Sequence, residues 1–440
     1  MPIHNFGSVC SGIEAATFTL QPMGVNPLWL SEIADYPTRF LAAQYPDHPN
    51  LGDMTTIPNK IANNEIPAPD MLVGGTPCQA FSLAGWRNGV NDERGQLTLR
   101  YIDIIDAIDA KRAEQGLGRA TFFWENVEGA LTDKTNAFGC FLAGLVGLNE
   151  PVKVGKFKSA GVLYGPIRNI AWRVLDAKYF GVPQQRKRVY VLGGGLDFHP
   201  ENVLLEMGNR FQDPYTLREA QQQDVMDLFP AEEPEIDQET IRSLRKEING
   251  HDIEVFRCYS DCLYAAYGTK WNGNAAAFNG SLFVSQDGRL RRLTPIECER
   301  LMGFPDNYTA IANPRLTNRY QATGNSWAVP VIRWIMHRLL EATNNNNIQN
   351  VVLPPPSVVR NNYTLYMLDD FTFVDNQFLN ASNICYDFVL TNMLDIVDTE
   401  PDEKLYISPA GCAGILRRKR EYNAGMNSRL EYVLENCSTK

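Results

Sequence analysis

The chain has 440 residues, 44% of them apolar and 21% charged, and this composition excludes a globally disordered or fibrous protein. The length predicts two or three domains. The longest strongly apolar stretch, residues 137–148, is too short to span a bilayer, so no membrane association is expected.

The net charge and the cysteines narrow the class of protein further. The formal net charge of −10 argues against a nucleic-acid partner, because phosphate binding usually leaves a basic excess. There are nine cysteines, and no basic and apolar leader precedes Phe6, so we expect a cytoplasmic protein with reduced thiols. Cys258 and Cys262 have no neighbouring second pair or His-x-His set, so no structural metal is expected.

The first predicted elements are a strand over residues 3–10, a glycine turn over 11–14 and a helix from Ala15. A strand, a glycine turn and a helix start form a site for a nucleotide-like ligand, because backbone amides face that ligand. The same arrangement also occurs as a purely structural turn. The sequence at this point is compatible with both interpretations.

A second strand is predicted over residues 27–30, with Glu32 at its carboxyl end about 20 residues after Gly12. In doubly wound folds an acidic residue at this place accepts hydrogen bonds from ribose hydroxyls. A second carboxylate, Asp53, follows in the segment 52–54. Both carboxylates could instead be surface charges or helix caps.

The loop that begins with Gly74 follows a short apolar run, residues 71–73, which predicts a buried strand ending in a flexible turn. Pro77 fixes its own backbone and biases Thr76 towards extended conformations. Cys78 is therefore presented on a chain of restricted freedom, as a nucleophile would be. Cys78 could equally be a small buried hydrophobe.

Further elements repeat the alternation of helix and strand. Residues 96–110 have near-helical apolar spacing, residues 121–124 predict a strand that ends at Glu125, and residues 188–192 predict a later strand. Tandem strands and helices predict an α/β domain with a mostly parallel sheet and its site at the carboxyl edge. Two basic stretches, within 153–188 and 289–292, could line one cleft or be solvated surface.

The pattern of strands and helices weakens beyond Leu196. Residues 258–284 are rich in glycine, asparagine and aromatic side chains. Thr294 followed by proline predicts a helix start, and residues 327–340 predict an apolar helix that returns to the first domain. Asparagines and prolines over 344–356 mark a linker, and the tail beyond it carries no catalytic motif that we identify.

Four short motifs occur in a fixed order along the chain. They are Pro77-Cys78-Gln79, Glu125-Asn126-Val127, Gln184-x-Arg186-x-Arg188 and Gly324-Asn325-Ser326. Each stands at a predicted strand end or turn, and together they resemble the cytosine C5 DNA methyltransferases, most closely the phage and prophage members, over roughly residues 1–340. The aromatic residue and paired glycines usual in the first motif of that family appear here as Cys10 and as Glu14-Ala15.

The resemblance implies a Rossmann-like S-adenosylmethionine-dependent methyltransferase domain. It implies a discontinuous catalytic domain over 1–198 and 312–345 and a target-recognition domain over 199–311. Residues 346–440 would form a C-terminal extension of unknown role.

The resemblance also implies S-adenosylmethionine as the cofactor, with Glu32 on the ribose and Asp53 on the adenine amino group. The implied cofactor-binding residues are Cys10, Ser11, Gly12, Ile13, Glu32, Asp53, Pro77, Asn325 and Ser326. The implied partner is double-stranded DNA with its target cytosine flipped out of the helix. We expect a monomer without a metal, in the host cytoplasm if phage-encoded, where methylation would protect phage DNA from restriction.

The implied chemistry begins with the Cys78 thiolate, which adds to C6 of cytosine and makes C5 nucleophilic. Glu125 would protonate or hydrogen-bond N3. Arg186 would donate to cytosine O2 and increase the thiolate fraction of Cys78. Arg188 would either contact another residue of the site, without touching the base, or contact a phosphate. The implied substrate-binding residues are Gln79, Asn126 and Gln184, with Asn126 also bracing the backbone.

Two other functions remain compatible with these motifs. One is a transfer-RNA cytosine C5 methyltransferase, although the long segment 200–290 favours DNA, because reading a sequence in a groove needs an added module. The other is a catalytically inactive DNA-binding relative, which the altered first motif and the acidic tail keep open.

Overall fold

The computed structural model describes residues 2–76, 95–208, 243–270, 276–344 and 349–439. The chain packs into two compact units. Unit 1 comprises Met1–Asp176, Lys187–Phe211 and Val331–Asp387, and unit 2 comprises Ala177–Arg186, Gln212–Pro330 and Phe388–Lys440. Within the described residues, no helix is long and apolar enough to cross a membrane.

The described residues contain both strands and helices. The strands are β1 (Asn5–Val9), β2 (Asn26–Trp29), β3 (Met71–Gly74), β4 (Thr121–Val127), β5 (Ala160–Tyr164), β6 (Asn169–Asp176), β7 (Lys187–Gly194), β8 (Glu206–Gly208), β9 (Leu244–Ile248), β10 (His251–Val255), β11 (Phe283–Gln286), β12 (Arg289–Arg292), β13 (Val358–Arg360), β14 (Tyr363–Leu368), β15 (Phe371–Val374) and β16 (Gln377–Asn380). The helices are α1 (Ala15–Leu20), α2 (Asp35–Gln44), α3 (Ile57–Ala62), α4 (Gly95–Glu114), α5 (Ala137–Val146), α6 (Glu201–Leu204), α7 (Tyr267–Lys270), α8 (Ala276–Asn279), α9 (Pro295–Leu301), α10 (Leu316–Asn325), α11 (Val329–Asn344), α12 (Pro409–Glu421) and α13 (Ser428–Ser438).

The main sheet of unit 1 has nine strands in the order β13-β14-β5-β6-β7-β4-β3-β1-β2. Strands β2, β1, β3 and β4 pair in parallel. Strands β7, β6, β5, β14 and β13 then follow, each antiparallel to its neighbour. Strands β6 and β14 therefore run in the same direction as β4. The predicted α/β fold with mostly parallel strand direction is confirmed.

The parallel half of the sheet is covered by α4, which extends the helix predicted over 96–110. Its buried Tyr101 donates from its hydroxyl to Leu72 O of β3 at 3.2 Å and to Phe123 O of β4 at 2.9 Å. The neighbouring Ile102 and Ile105 are also buried, as their spacing predicts. One helix thus fixes the two strands that lead to the Cys78 loop and to Glu125.

Several arginines of the two basic stretches lie in the protein interior. Arg168 pairs with Asp109 at 2.8 Å, and Arg173 pairs with Glu206 at 3.1 Å, both arginines having 0% of their surface exposed. Arg291 in unit 2 is equally buried. The interpretation of these arginines as a basic cleft lining is wrong, because each guanidinium is held inside by carboxylate and carbonyl acceptors.

Unit 2 contains a four-stranded antiparallel sheet in the order β12-β11-β10-β9. Helix α9 follows it and begins at Pro295, where Thr294 and Glu297 form a reciprocal capping box. The predicted helix start at this position is confirmed. Tyr267 and Tyr320 lie buried beneath the sheet, with their ring centroids 5.1 Å apart in an edge-to-face arrangement.

The C-terminal segment contributes to both units. In unit 1, β14 pairs with β5 and β16 pairs with β8. In unit 2, α12 and α13 form a hydrophobic cluster with Phe256, Phe283 and Leu290. The segment predicted as a separate extension is thus divided at residues 387 and 388.

Candidate active site

The turn between β1 and α1 brings two predicted cofactor residues together. Gly12 has a φ of +55°, a left-handed conformation that glycine adopts without strain. Its amide donates to Glu32 Oε2 at 2.8 Å. Among the described residues other than its chain neighbours, no atom lies within 4 Å of the place where a Gly12 Cβ would stand, so they leave the outer side of the turn open.

Glu32 follows β2, and both its carboxylate and its backbone amide form hydrogen bonds. Its Oε1 accepts from the amides of Ile33 and Ala34, each at 2.8 Å. Asn50 Oδ1 accepts from the Glu32 amide at 2.9 Å and from the Gly52 amide at 3.1 Å. Asn50 thus ties Glu32 to the segment that carries Asp53, a role that no sequence pattern around Asn50 marks.

Asp53 lies at the start of a short 3-10 helix, Met54–Thr56, and accepts from the Thr55 amide at 2.9 Å. Cys10 Sγ lies 3.7 Å from Met54 Sδ, next to that helix. Burial, and then the negative charge of Glu32, raise the pKa of the Cys10 thiol to about 12. The predicted residues Cys10, Glu32 and Asp53 therefore converge, and Cys10 is a neutral thiol there.

Ser11 and Ile13 are the other predicted cofactor-binding residues of the first turn. Ser11 exchanges backbone contacts with Ser31, its amide donating to Ser31 O at 3.1 Å. The Ile13 side chain is buried and faces the interior of unit 1. Both residues hold the turn in place beside Glu32.

Pro77, Cys78 and Gln79 lie outside the described residues. Thr76, the residue before them, is buried and firmly held. Its hydroxyl shares a hydrogen bond with Thr98 of α4 at 2.8 Å and accepts from Trp124 Nε1 of β4 at 3.0 Å. Asn126 Nδ2 donates to Thr76 O at 3.0 Å. The chain thus enters the Cys78 loop from a fixed point, and the Asn126 side chain contacts backbone.

Glu125 and Arg188 form an ion pair on neighbouring strands β4 and β7. Arg188 Nε lies 3.1 Å from Glu125 Oε1, and both side chains are largely buried, with 14% and 10% of their surface exposed. Val127 is the cross-strand partner of Arg188, so the ion pair is a diagonal contact on one face of the sheet. Because little solvent screens it, each charge stabilises the other strongly.

Arg186, in unit 2, donates to backbone carbonyls through both terminal nitrogens of its guanidinium. Its Nη1 donates to Leu263 O at 3.1 Å, and its Nη2 donates to Gly324 O at 3.2 Å and to Ser326 O at 2.7 Å. Only 3% of its surface is exposed. The predicted contact of Arg186 with cytosine O2 is therefore not what this geometry supports, because its guanidinium is already held by the backbone of the Gly-Asn-Ser motif.

Gln184 is also buried in unit 2, and both ends of its side-chain amide are used internally. Its Nε2 donates to Leu301 O at 2.9 Å, and its Oε1 accepts from the Leu263 amide at 2.9 Å. The substrate contact of Gln184 stays a prediction, and its described contacts are internal to unit 2. Gln184 and Arg186 together fix the backbone around Leu263.

The Gly-Asn-Ser motif ends helix α10. A Cβ at Gly324 would stand 2.6 Å from the amide nitrogen of Ala265 and from the carbonyl carbon of Tyr264, so only glycine permits this approach. Asn325 is exposed, and Ser326 is buried with its carbonyl on Arg186. Sequence reasoning placed Asn325 and Ser326 at the cofactor, whereas their described contacts lie within unit 2.

The described residues contain no group of three or more histidine, cysteine or acidic side chains that could hold a metal ion. None of the cysteines in the described ranges forms a disulfide. The described part of the site therefore consists of carboxylates, a guanidinium, amides and hydroxyls.

Known proteins resemble this chain over most of its length. A family model for C-5 cytosine-specific DNA methylases matches residues 4–341. A DNA N-6-adenine-methyltransferase of Escherichia phage P1 is 33% identical over 77% of this chain, and the chain spans 61% of that relative. The type II methyltransferase M1.ScrFI of Lactococcus lactis subsp. cremoris is 30% identical, covering 72% of each chain. M.HhaI of Haemophilus parahaemolyticus is 27% identical, covering 77% of this chain and 95% of its own. The chain belongs to the C-5 cytosine-specific DNA methylase family.

Proposed function

We propose that the chain transfers a methyl group from S-adenosylmethionine to C5 of cytosine within a specific double-stranded DNA sequence. The observation that carries the proposal is the buried Glu125–Arg188 pair, which lies beside the braced strand end that leads into the Cys78 loop. We assign Cys78 as the nucleophile that adds to C6, because it lies in the Pro-Cys-Gln motif. Its thiolate bonds to C6, C5 takes the methyl group, and loss of the C5 proton releases the thiol.

Glu125 and Arg188 are the groups from which addition to the ring can draw support. As electron density moves onto the pyrimidine, N3 needs a proton or a strong hydrogen bond. The ionised Glu125 of the pair only accepts, so Glu125 must take up a proton before it donates to N3. Arg188 Nε lies 3.1 Å from Glu125 Oε1, and its Nη1 donates to Lys187 O at 2.8 Å, so its guanidinium stands beside the carboxylate that we place on N3. We therefore assign the O2 contact to Arg188 rather than to Arg186.

The residues of the first turn fit S-adenosylmethionine. The turn is open above Gly12, and Glu32 and Asp53 present carboxylate acceptors around it, as a ligand with ribose hydroxyls and an adenine amino group requires. When bound, the sulfonium supplies an electrophilic methyl group. Glu32 would hold the ribose and Asp53 the adenine edge.

We also propose that residues 199–311 provide the target-recognition region and that the target base is flipped out of the duplex. Cytosine C6 is stacked and inaccessible within B-form DNA, so covalent addition requires extrusion at a cost of a few kcal/mol. An antiparallel sheet with connecting segments offers side chains that can enter a groove.

The decisive experiment measures transfer of labelled methyl groups from S-adenosylmethionine to unmodified duplex DNA, for the native chain and for Cys78→Ser. We expect labelled 5-methylcytosine in one short sequence context with the native chain and a loss of at least about 10³-fold in the variant. Equal rates for both proteins would rule out the covalent mechanism. Addition of unlabelled transfer RNA as a competitor would reveal an RNA substrate through suppression of the DNA signal.

A second candidate function, methylation of adenine N6, is raised by the similarity of the chain to the DNA N-6-adenine-methyltransferase of phage P1. An exocyclic amine can attack a sulfonium methyl group directly, so no cysteine adduct is required. Digestion of the labelled DNA distinguishes the two: N6-methyladenine that persists in Cys78→Ser would favour the second function. The family match and the Glu125–Arg188 pair support the first.

A further inference from the structure

Glu14 is a buried carboxylate directly behind the turn that we assign to the cofactor. Only 1% of its surface is exposed, and its φ of +55° places it in the left-handed region, which a glutamate adopts only at an energetic cost. Such a conformation is retained only where surrounding contacts impose it. The contacts of Glu14 are correspondingly dense.

Three donors converge on the Glu14 carboxylate. The Ser8 hydroxyl donates to Oε1, and the Thr17 amide, at 2.9 Å, and the Thr17 hydroxyl both donate to Oε2. Ser8 and Thr17 are themselves buried. An ionised carboxylate has only acceptor sites, so it satisfies all three donors at once.

The hydrogen bonds continue from Ser8 to the other cofactor segments. The Ser11 hydroxyl donates to Ser8 Oγ at 2.9 Å, and Ser11 Oγ accepts from the Ser31 amide at 3.1 Å. The Ser31 hydroxyl then donates to Gly52 O at 2.6 Å. The chain of bonds therefore runs beneath all three segments that carry Gly12, Glu32 and Asp53.

An ionised Glu14 would set the direction of the Ser8 and Ser11 hydroxyls. Because Glu14 only accepts, Ser8 must donate to it, and Ser8 Oγ is then left to accept from Ser11. The Ser11 hydroxyl proton is thereby turned away from Ser31, which leaves a lone pair for the Ser31 amide. Replacing the acceptor by a group that can donate would reverse this order and shift the Ser11 hydroxyl proton from Ser8 Oγ, at 2.9 Å, to Ser8 O, a longer contact of 3.3 Å.

We propose that Glu14 is a positioning residue for S-adenosylmethionine, which sets the direction of the hydrogen bonds through Ser8 and Ser11 and so fixes the three cofactor segments relative to one another. This inference rests on the proposed function and adds a determinant of cofactor affinity to it. Burial raises the pKa of Glu14, while the bonds from Ser8 and Thr17 oppose that rise. The network thus helps to keep the buried acid ionised.

The test is calorimetric titration of S-adenosylmethionine, without DNA, into the full-length native chain and into Glu14→Gln and Glu14→Gly. Glutamine retains the size of the side chain and adds a donor, whereas glycine removes the backbone strain together with the network. We expect Kd to rise about tenfold or more in both variants, equivalent to about 1.4 kcal/mol. At saturating cofactor, kcat and the KM for DNA should stay within about twofold of the native values, because Glu14 contacts neither reacting base nor DNA.

Glu299→Gln is the matched control. Glu299 is a buried carboxylate of unit 2 that accepts from the amides of Asn307 and Thr309 and from the Thr309 hydroxyl, and it also pairs with Arg319 at 2.7 Å. The Glu299→Gln substitution should lower the free energy of unfolding without raising the Kd for S-adenosylmethionine. If Glu14 has only a structural role, Glu14→Gln should behave like Glu299→Gln, with lower stability and a native Kd for S-adenosylmethionine. A native Kd in folded Glu14→Gln would overturn the proposal.

Ser11→Ala keeps the proposal testable if the Glu14 variants do not fold. The Ser11 side chain is partly exposed, and its loss removes the acceptor of the Ser31 amide. A folded Ser11→Ala protein with raised Kd supports the network, and native Kd contradicts it. Failure of the native chain to bind S-adenosylmethionine would instead contradict the proposed function, so the two failures are distinguishable.

Discussion

Arg186 and Arg188 are separated by one residue, yet they serve different purposes. Strand β7 begins at Lys187, so Arg188 projects from the sheet towards Glu125, whereas Arg186 lies before the strand and turns into unit 2. The sequence motif marks both as important but does not distinguish them, because their roles depend on where the strand starts. This boundary is the least predictable feature of an element.

The difference predicts opposite outcomes for the two alanine variants. Arg188→Ala should fold and bind S-adenosylmethionine normally but lose about 10²-fold or more in the methyl-transfer rate, since a donor to the reacting ring is removed. Single-turnover assays at saturating cofactor and DNA measure this rate. Native-like turnover in a folded Arg188→Ala protein would contradict the assignment.

Arg186→Ala should act on stability instead. It leaves the carbonyls of Leu263, Gly324 and Ser326 without their buried donor, which should reduce the free energy of unfolding by about 3 kcal/mol. Denaturant titration followed by circular dichroism measures the loss. A stable but inactive Arg186→Ala protein would restore the role first predicted for this residue.

Helix α10 shows how a short motif can be required by packing. Its end approaches the backbone of Tyr264 and Ala265 so closely that no side chain fits at Gly324. The glycine of the Gly-Asn-Ser motif thus serves the contact between two backbone segments of unit 2.

Gly324→Ala should therefore lower the free energy of unfolding of unit 2 by about 2–3 kcal/mol through overpacking. Gly425→Ala is the control, since nothing lies within 4 Å of its added Cβ, and it should change stability by less than about 0.5 kcal/mol. Thermal denaturation of both variants tests the difference. Equal melting temperatures would show that the helix end shifts without cost.

The parallel half of the sheet was accessible to sequence reasoning, whereas β7 was the one predicted strand of the antiparallel half. Strands β3 and β4 have uninterrupted apolar runs, which are typical of strands buried on both faces. Strand β6 carries Arg173 in its centre, and Arg168 immediately precedes it, so these residues read as a basic surface. Their buried acceptors, Glu206 and Asp109, lie far away in sequence and only the fold brings them together.

At the scale of the whole molecule, both units depend on the C-terminal segment. Arg173 donates to Ser382 O at 2.6 Å and to Ile384 O at 2.7 Å, and β14 covers the edge of β5. Nothing in the local sequence of this segment predicts these partners, because β pairing between distant residues has no short-range signature. The family model likewise ends at residue 341.

Two truncations separate the contributions of the segment. A chain that ends at Asn350 should lose cofactor binding, because β5 becomes an open edge and the buried Arg173 loses two acceptors. A chain that ends at Asp387 keeps every part of unit 1, so it should bind S-adenosylmethionine but fail to methylate DNA. Calorimetry and transfer assays on both chains test this, and equal cofactor affinity in the two would contradict it.

The pairing of β14 with β5 also governs when the enzyme becomes competent during its synthesis. Thr364 lies opposite Tyr164, so this register closes about 200 residues of intervening chain. The ribosome must release residues up to Leu368 before the sheet can be completed. Until then β5 lacks its neighbour β14. Assembly of the sheet of unit 1 is thereby delayed until the chain has been made as far as Leu368.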